Sequence, residues 1–140
     1  MSGPTTATLG LAPTELALRA IGPWLARSVG GLDPATARSL LPRMELAVHE
    51  TCMNVVHHAA LSDGEQIELA LTLDPDHLTV WVRDSGAAFD QAGVPEPAGG
   101  QLRERGYGVK IARSLVDELT YRRQGSRNEL ALRIDLEGPP

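Results

Sequence analysis

The sequence predicts a two-layer α+β fold in which about three helices cover one face of a mixed β-sheet. Two observations lead to it: long stretches whose apolar residues recur at helical spacing, and two neighbouring segments that alternate apolar and polar residues and are joined by a short turn. A hairpin of this kind, rather than strict alternation of strands and helices, is typical of α+β proteins. With 140 residues, 42% of them apolar, the chain suits a single domain with one core.

The first half of the chain predicts one strand and two helices. Residues 5–11 alternate weakly and predict a short edge strand. Residues 14–29 predict helix one, with Gly22-Pro23 as a kink or a restart. Helix two is predicted from the N-cap Asp33, which proline follows, to about residue 60. Pro42 is expected to mark a kink or a restart inside it.

The second half predicts the hairpin, a long loop, a third helix and a last strand. Residues 67–73 and 78–82 form the alternating segments of the hairpin. Residues 84–108 are rich in glycine, contain two prolines and show no period, so they predict a loop. Loops of that length are usually functional or disordered. Apolar spacing over residues 109–119 predicts helix three, and residues 129–136 predict the last strand.

Composition excludes several classes of function. The formal net charge is −5, so a surface for direct nucleic-acid binding or for anionic membranes lacks its electrostatic basis. The lone cysteine, Cys52, has no partner for an internal disulfide, which favours the cytoplasm. No signal peptide is recognisable, and no stretch approaches the roughly 18 uninterrupted apolar residues of a membrane span. We therefore expect a protein or a small molecule as partner.

Helix two carries a polar strip. Glu50, Asn54 and His58 follow one another at intervals of four residues, so a carboxylate, an amide and an imidazole lie along one side of the helix. Taken alone, such a strip is typical of a solvated helix face.

Two glycine-containing turns follow. Asp84-Ser85-Gly86 stands at the end of a predicted strand; it suits an ordinary turn, or a carboxylate at the bottom of a pocket that accepts the exocyclic amine of a purine. Gly106-Tyr107-Gly108 precedes helix three, where unpaired amides and the helix dipole suit a phosphate. Taken alone, Gly-x-Gly is weak support for a phosphate site.

Taken in order, these segments resemble the ATP-binding domain of the GHKL superfamily, which gyrase, histidine kinases and MutL share. ELAVHETCMNVVHHA resembles the N box, DSGAAFD the first glycine box, RGYGVKIARSLVDEL the second, and GSRNELALR the closing strand. The resemblance covers about residues 7–136 and implies a sandwich of the Bergerat type with a lid over about residues 91–105. The short lid and the compact chain are most similar to anti-sigma-factor serine/threonine kinases.

The resemblance implies a role for each motif residue. Glu50 is implied as the general base, and Asn54 as a ligand of Mg²⁺. Asp84 is implied to bind the adenine of ATP, and Gly86 to leave room for the base. Phosphate binding is implied for the amides of Gly106, Gly108 and Val109, with Arg105 or Arg103 on the lid balancing charge.

The closing strand departs from the family pattern. Residues 128–130 read Asn-Glu-Leu where many relatives have Gly-Thr. The hydroxyl that usually assists adenine binding is therefore missing, or is replaced by Ser126 or Asn128.

The function implied is that of an anti-sigma factor with serine/threonine kinase activity. It transfers the γ-phosphoryl group of Mg-ATP to a serine of an anti-sigma-factor antagonist, sequesters a sigma factor in transcription regulation, and forms a homodimer. Three alternatives stay open: a nucleotide-gated binding module without kinase activity, a stand-alone sensor-kinase ATP domain, and a structural fold without nucleotide.

Overall fold

The computed structural model describes residues 5–58, 61, 64–86 and 109–136, and their elements form a helical layer on one face of a five-stranded sheet. A short helix over residues 109–115 is α3. The other elements, in chain order, are β1 (Thr5–Leu11), a 3-10 helix (Leu16–Ala20), α1 (Ile21–Ser28), α2 (Pro34–His58), β2 (Ile67–Leu73), β3 (His77–Asp84), β4 (Glu118–Gln124) and β5 (Arg127–Asp135).

The sheet has the strand order β1-β2-β3-β5-β4, so β1 and β4 are its edges. The predicted two-layer α+β class is confirmed, as is the edge strand over residues 5–11. The structure refines the expectation of a mixed sheet, because all four pairings among the described strands are antiparallel. Strands β3 and β5, both inside the sheet, pair directly even though α3 and β4 lie between them in sequence.

Alternation along the strands divides the sheet into two faces. In β2, Leu69 and Leu71 lie opposite Val82 and Val80 of β3, and all four side chains are buried under the helices. Removing one such side chain from water contributes on the order of 1.5–3 kcal/mol. This register fixes the direction of every β3 side chain, including that of Asp84 at the strand's end.

Helix α2 begins and continues as its sequence indicates. The amide of Thr36 donates to Asp33 Oδ2 at 3.1 Å, which confirms the predicted N-cap. Pro42 lies inside the helix without ending it, so the predicted restart does not occur. Pro42 and Arg38, the residue one turn earlier, are both exposed, and the carbonyl that loses its donor lies on the solvent side.

The first helical segment does restart where its sequence predicts. A 3-10 helix gives way to α1 at Ile21, directly before Gly22-Pro23. Pro23 therefore lies in the first turn of α1, where its missing amide donor removes no helical hydrogen bond. Within the described residues, no helix is both long and apolar enough to cross a membrane.

The helix predicted over residues 116–119 was wrong, and the strand that follows it was not predicted. The third helix was expected to reach residue 119, but α3 ends at residue 115 and the edge strand β4 begins at Glu118. Leu119 belongs to the sheet, opposite Leu132 of β5. A two-residue turn at Gly125-Ser126 joins β4 to β5, and the φ of +58° at Gly125 is one that glycine adopts without strain.

Candidate functional site

Asp84 is a buried carboxylate at the end of β3, and its residue is only 4% exposed. Its Oδ1 accepts hydrogen bonds from the amide of Gly86 at 2.8 Å and from Asn128 Nδ2 at 3.0 Å. The first of these bonds closes an Asx turn, in which the side chain of Asp84 accepts from the amide two residues further along. In the part of the chain that the structure describes, both hydrogen bonds to this side chain go to Oδ1. The other oxygen, Oδ2, is thus the acceptor left for a further donor.

Asn128, 3% exposed, lies directly opposite Asp84 in the register of β3 and β5. Its Oδ1 accepts from the hydroxyl of Tyr121 at 2.6 Å and from Arg123 Nη1 at 3.0 Å. Its Nδ2 donates to Asp84 and, at 3.4 Å, to the carbonyl of Gly86. The amide therefore joins the ends of three strands around one carboxylate.

The structure distinguishes the two candidates for the missing hydroxyl. Ser126 is exposed in the turn between β4 and β5, whereas Asn128 contacts the Asp84 carboxylate. Of the two candidates, Asn128 is therefore the one placed to act on Asp84, with an amide donor rather than a hydroxyl.

The polar strip of α2 supplies a second group of side chains. Glu50 and Asn54 are one helical turn apart and half-buried. Among the described residues, no hydrogen bond or ion pair holds either side chain, so both are available to a ligand. The side chain of His58, the third member of the strip, lies outside the described residues.

Cys52 of this helix is influenced by the strand-end carboxylate. It is fully buried in the turn between Glu50 and Asn54. Burial raises the pKa of its thiol, and the negative charge of Asp84 raises it further. The charge of the Asp84 carboxylate therefore acts on this turn of α2.

The predicted phosphate-binding residues are placed only in part. Val109 is buried at the first described position of α3. Arg105, Gly106 and Gly108, together with the proposed lid at 91–105, lie outside the described residues.

The residues of α2 fit a magnesium ion of the kind that bridges phosphates. No group of three or more His, Cys, Asp or Glu side chains within the described ranges is arranged to hold a metal. Mg²⁺ bound with a nucleotide needs only one or two protein oxygens, because water and phosphate oxygens complete its octahedron. The half-buried, unengaged amide oxygen of Asn54 meets that requirement.

Tyr121 and Arg123 were missed as site residues because their strand was missed. Both lie on the helical side of β4, opposite Leu130 and Asn128 of β5. One feature of the sequence does indicate the strand that carries them. A Gly-Ser pair between two runs that place an apolar or aromatic residue at every second position is typical of a two-residue hairpin.

Comparison with known families agrees with the motif order. The profile of the family described as Histidine kinase-like ATPase domain matches residues 7–134. This chain belongs to that family. The predicted resemblance to GHKL ATP-binding domains is thereby confirmed.

Relatives of this histidine kinase-like ATPase domain include kinases. The chain is 30% identical over 84 residues to "Serine-protein kinase RsbW" of Bacillus cereus, a match that covers 54% of this chain and 52% of the relative. The protein of the same name from Bacillus mycoides is 29% identical over 84 residues, with the same coverage of both chains. The chain spans about half the length of the curated relatives it matches.

A solved structure shares the fold of this histidine kinase-like ATPase domain. The crystal structure of the RsbU and RsbW domains of Rv1364c from Mycobacterium tuberculosis superimposes with a TM-score of 0.67 at 18% sequence identity. The match covers 95% of this chain and 33% of the other. It supports the two-layer architecture of helices on one sheet.

Proposed function

We propose that this histidine kinase-like ATPase domain is a protein serine/threonine kinase that transfers the γ-phosphoryl group of Mg-ATP to a serine of a partner protein. The observation that carries the proposal is a buried carboxylate, Asp84, with one oxygen left for a donor, near a helical turn that bears Glu50 and Asn54. Serine as the acceptor is supported by the printed name of the RsbW relatives.

Asp84 and Gly86 are the proposed adenine site. The exocyclic amine of adenine would donate to Asp84 Oδ2, the oxygen that the described residues leave unengaged. A hydrogen bond to an ionised carboxylate is stronger than one to a neutral acceptor, and burial of Asp84 keeps water from competing. Gly86 has no side chain to obstruct the base, and its own amide is already used in holding Asp84.

Glu50 and Asn54 are the proposed phosphoryl-transfer residues. Glu50 Oε would accept the proton of the attacking serine hydroxyl. Asn54 would give its amide oxygen to Mg²⁺, which when bound neutralises charge on the phosphates. The one-turn spacing places both groups on the same side of α2, where one ligand can meet both.

The start of α3 is the proposed phosphate site. Val109 would contribute its backbone amide together with Gly106 and Gly108, and Arg105 or Arg103 would balance charge. Amides at a helix N-terminus suit an anion because they have no partner within the helix.

The proposed substrate is an anti-sigma-factor antagonist, and the proposed second partner is a sigma factor, both engaged in the cytoplasm by a homodimer of this chain. Phosphorylation adds nearly two negative charges to the antagonist. Because the chain itself has a formal net charge of −5, the phosphorylated product would be repelled. Product release would then free the kinase for the sigma factor.

Phosphotransfer from γ-labelled ATP to a candidate antagonist tests this proposal. Glu50→Gln removes the base but keeps the shape of the side chain, so transfer should fall by about 10²-fold or more. The dissociation constant for Mg-ATP should stay within about twofold, because the base makes no contact that the bound nucleotide needs. Glu45→Gln, the same change at an exposed position of the same helix, is the matched control and should retain activity.

Three outcomes would contradict the proposal in different ways. Undiminished transfer by Glu50→Gln would exclude Glu50 as the base. Binding of Mg-ATP without transfer to any antagonist would indicate a binding module rather than a kinase. An acid-labile label on the product would indicate phosphohistidine, as expected of a sensor-kinase domain.

A further inference from the structure

The amide of Asn128 is held in one orientation by its neighbours. Its oxygen accepts a hydrogen bond from Arg123 Nη1 at 3.0 Å, and a guanidinium can only donate. The hydroxyl of Tyr121, at 2.6 Å from the same oxygen, can donate or accept and would suit either orientation of the amide. Arg123 therefore holds the oxygen end of the amide, while Asp84 Oδ1 and the carbonyl of Gly86, which can only accept, face its nitrogen.

The orientation of this amide determines what Asp84 presents to a ligand. In the observed arrangement Nδ2 donates to Asp84 Oδ1, which also accepts from the amide of Gly86. A reversed amide would set its oxygen against Oδ1, two acceptors in contact, and the carboxylate would have to turn. The observed orientation keeps Oδ2 in one position, where it acts purely as an acceptor.

Arg123 also secures the turn beside the carboxylate. A single nitrogen, Nη1, contacts both Asn128 Oδ1 and the carbonyl of Gly86, the latter at 3.1 Å. Its hydrogen bonds are charge-assisted and so exceed neutral ones in strength. Because the residue is exposed on the edge strand β4, its guanidinium reaches the site from the surface.

We infer that Arg123 is a positioning residue for base selectivity, acting through Asn128 to hold Asp84 Oδ2 as a fixed acceptor. This inference rests on the proposed function, in which Asp84 faces the base. A fixed acceptor selects purines that carry an exocyclic amine at position 6. It disfavours a base with a carbonyl there, and gains nothing from a base with neither group.

Binding of three nucleotides to the full chain tests the inference: ATP, GTP, and purine riboside 5′-triphosphate, which lacks the amine. The wild-type chain should prefer ATP over purine riboside triphosphate by about tenfold or more, the range of a hydrogen bond to a charged group. Arg123→Ala should reduce this ratio by about fivefold or more, since the amide of Asn128 and the turn at Gly86 then lose the donor that holds them, and Oδ2 is no longer fixed. Arg123→Lys, which keeps a cationic donor, should restore part of the ratio.

Arg122→Ala is the matched control. Arg122 is the next residue along β4, points to the opposite face of the sheet, and lies 3.6 Å from Glu129 in an ion pair. Its loss should leave the nucleotide ratio unchanged. Melting temperatures without nucleotide should be measured for all variants, to show that each one is folded. A selectivity ratio compares two ligands on one folded protein, so a modest loss of stability does not change it.

A second variant keeps the test decisive. Asn128→Asp preserves side-chain shape but replaces the donor facing Asp84 by an acceptor, and it should lower the ratio at least as much as Arg123→Ala. A wild-type ratio retained by either variant would overturn the inference, as would equal losses of affinity for ATP and for purine riboside triphosphate. Failure of the wild-type chain to bind ATP would instead refute the proposed function.

Discussion

At the scale of single residues, Cys52 is a buried helical side chain on which the charge of the strand-end carboxylate acts. The thiol is fully buried, and burial together with the charge of Asp84 raises its pKa. A cysteine is reactive through its thiolate, so a thiol held neutral and away from solvent is inert. Cys52 is therefore a packing residue in this fold, even though it stands between two proposed catalytic-site residues.

We predict that the Cys52 thiol resists modification and that it makes the free energy of unfolding depend on pH in the alkaline range. Below the ordinary thiol pKa of 9.0, folded and unfolded chains both keep the proton. Above it the unfolded chain releases the proton and the folded chain retains it, so the free energy of unfolding falls as pH rises further. Urea unfolding between pH 7 and pH 10 should show this decline, and Cys52→Ala should lack the thiol's part of it.

The same property has a direct chemical check. A disulfide reagent at pH 8 should label the native chain far more slowly than the urea-unfolded chain. Rapid, stoichiometric labelling of the native chain would contradict the burial on which the pKa argument depends.

The candidate site residues differ in how clearly the sequence identifies them. Glu50, Asn54 and Asp84 could be named because each belongs to a motif with fixed spacing. Asn128 was one of two candidates, and only the register of β3 with β5 places it on Asp84. Arg123 could not be found in this way, because it acts by the direction of its donor at a contact made across strands.

At the scale of elements, α2 organises the site by joining both layers. Its first turn is capped by Asp33, and its middle is tied to α3 by Arg43, whose Nε donates to the carbonyl of Leu115 at 3.0 Å. A cation at the last carbonyls of a helix also matches the helix dipole. The turn with Glu50 and Asn54 thus belongs to a helix that is held at its start and at Arg43.

We predict that Asp33→Ala destabilises the protein through loss of the α2 cap. The expected loss in the free energy of unfolding is about 1 kcal/mol, the usual value for an N-cap replaced by alanine. Asp33→Asn keeps an oxygen that accepts the Thr36 amide and should retain most of the stability. Equal urea midpoints for wild type and Asp33→Ala would show that the cap contributes nothing.

The element that sequence reasoning missed, β4, shows a limit of periodicity. Val109, Ala112, Val116 and Leu119 are spaced by three or four residues, which satisfies a helix. The last three pack against the core, but Leu119 does so from a strand, where alternation with exposed polar residues is the relevant pattern. An edge strand with few apolar residues gives a weak signal, and pairing with β5 decided its conformation.

At the scale of the whole molecule, the binding proposal requires that nucleotide stabilises the fold. We predict that Mg-ATP at about one hundredfold its dissociation constant adds about 2.7 kcal/mol to the free energy of unfolding. For a domain of this size the melting temperature should rise by roughly 5–10 °C. Thermal unfolding with and without Mg-ATP measures this shift.

Two variants distinguish nucleotide binding from phosphoryl transfer. Glu50→Gln should keep the shift, because the base contributes to transfer and not to affinity. Asp84→Asn should lose most of it, because an amide donor near the base replaces an acceptor. An unchanged melting temperature for the wild-type chain at saturating Mg-ATP would favour a structural fold without nucleotide.

The hydrogen bond from Asn128 to Asp84 joins residues 44 positions apart and crosses the boundary between two locally formed hairpins, β2–β3 and β4–β5. Each hairpin can assemble from contacts near in sequence, whereas their union requires closure of the long intervening connection. The proposed purine site therefore includes residues of both hairpins and forms only when they pair. A ligand bound at the proposed site would contact both halves of the sheet, so its binding and the pairing of the two hairpins would stabilise each other.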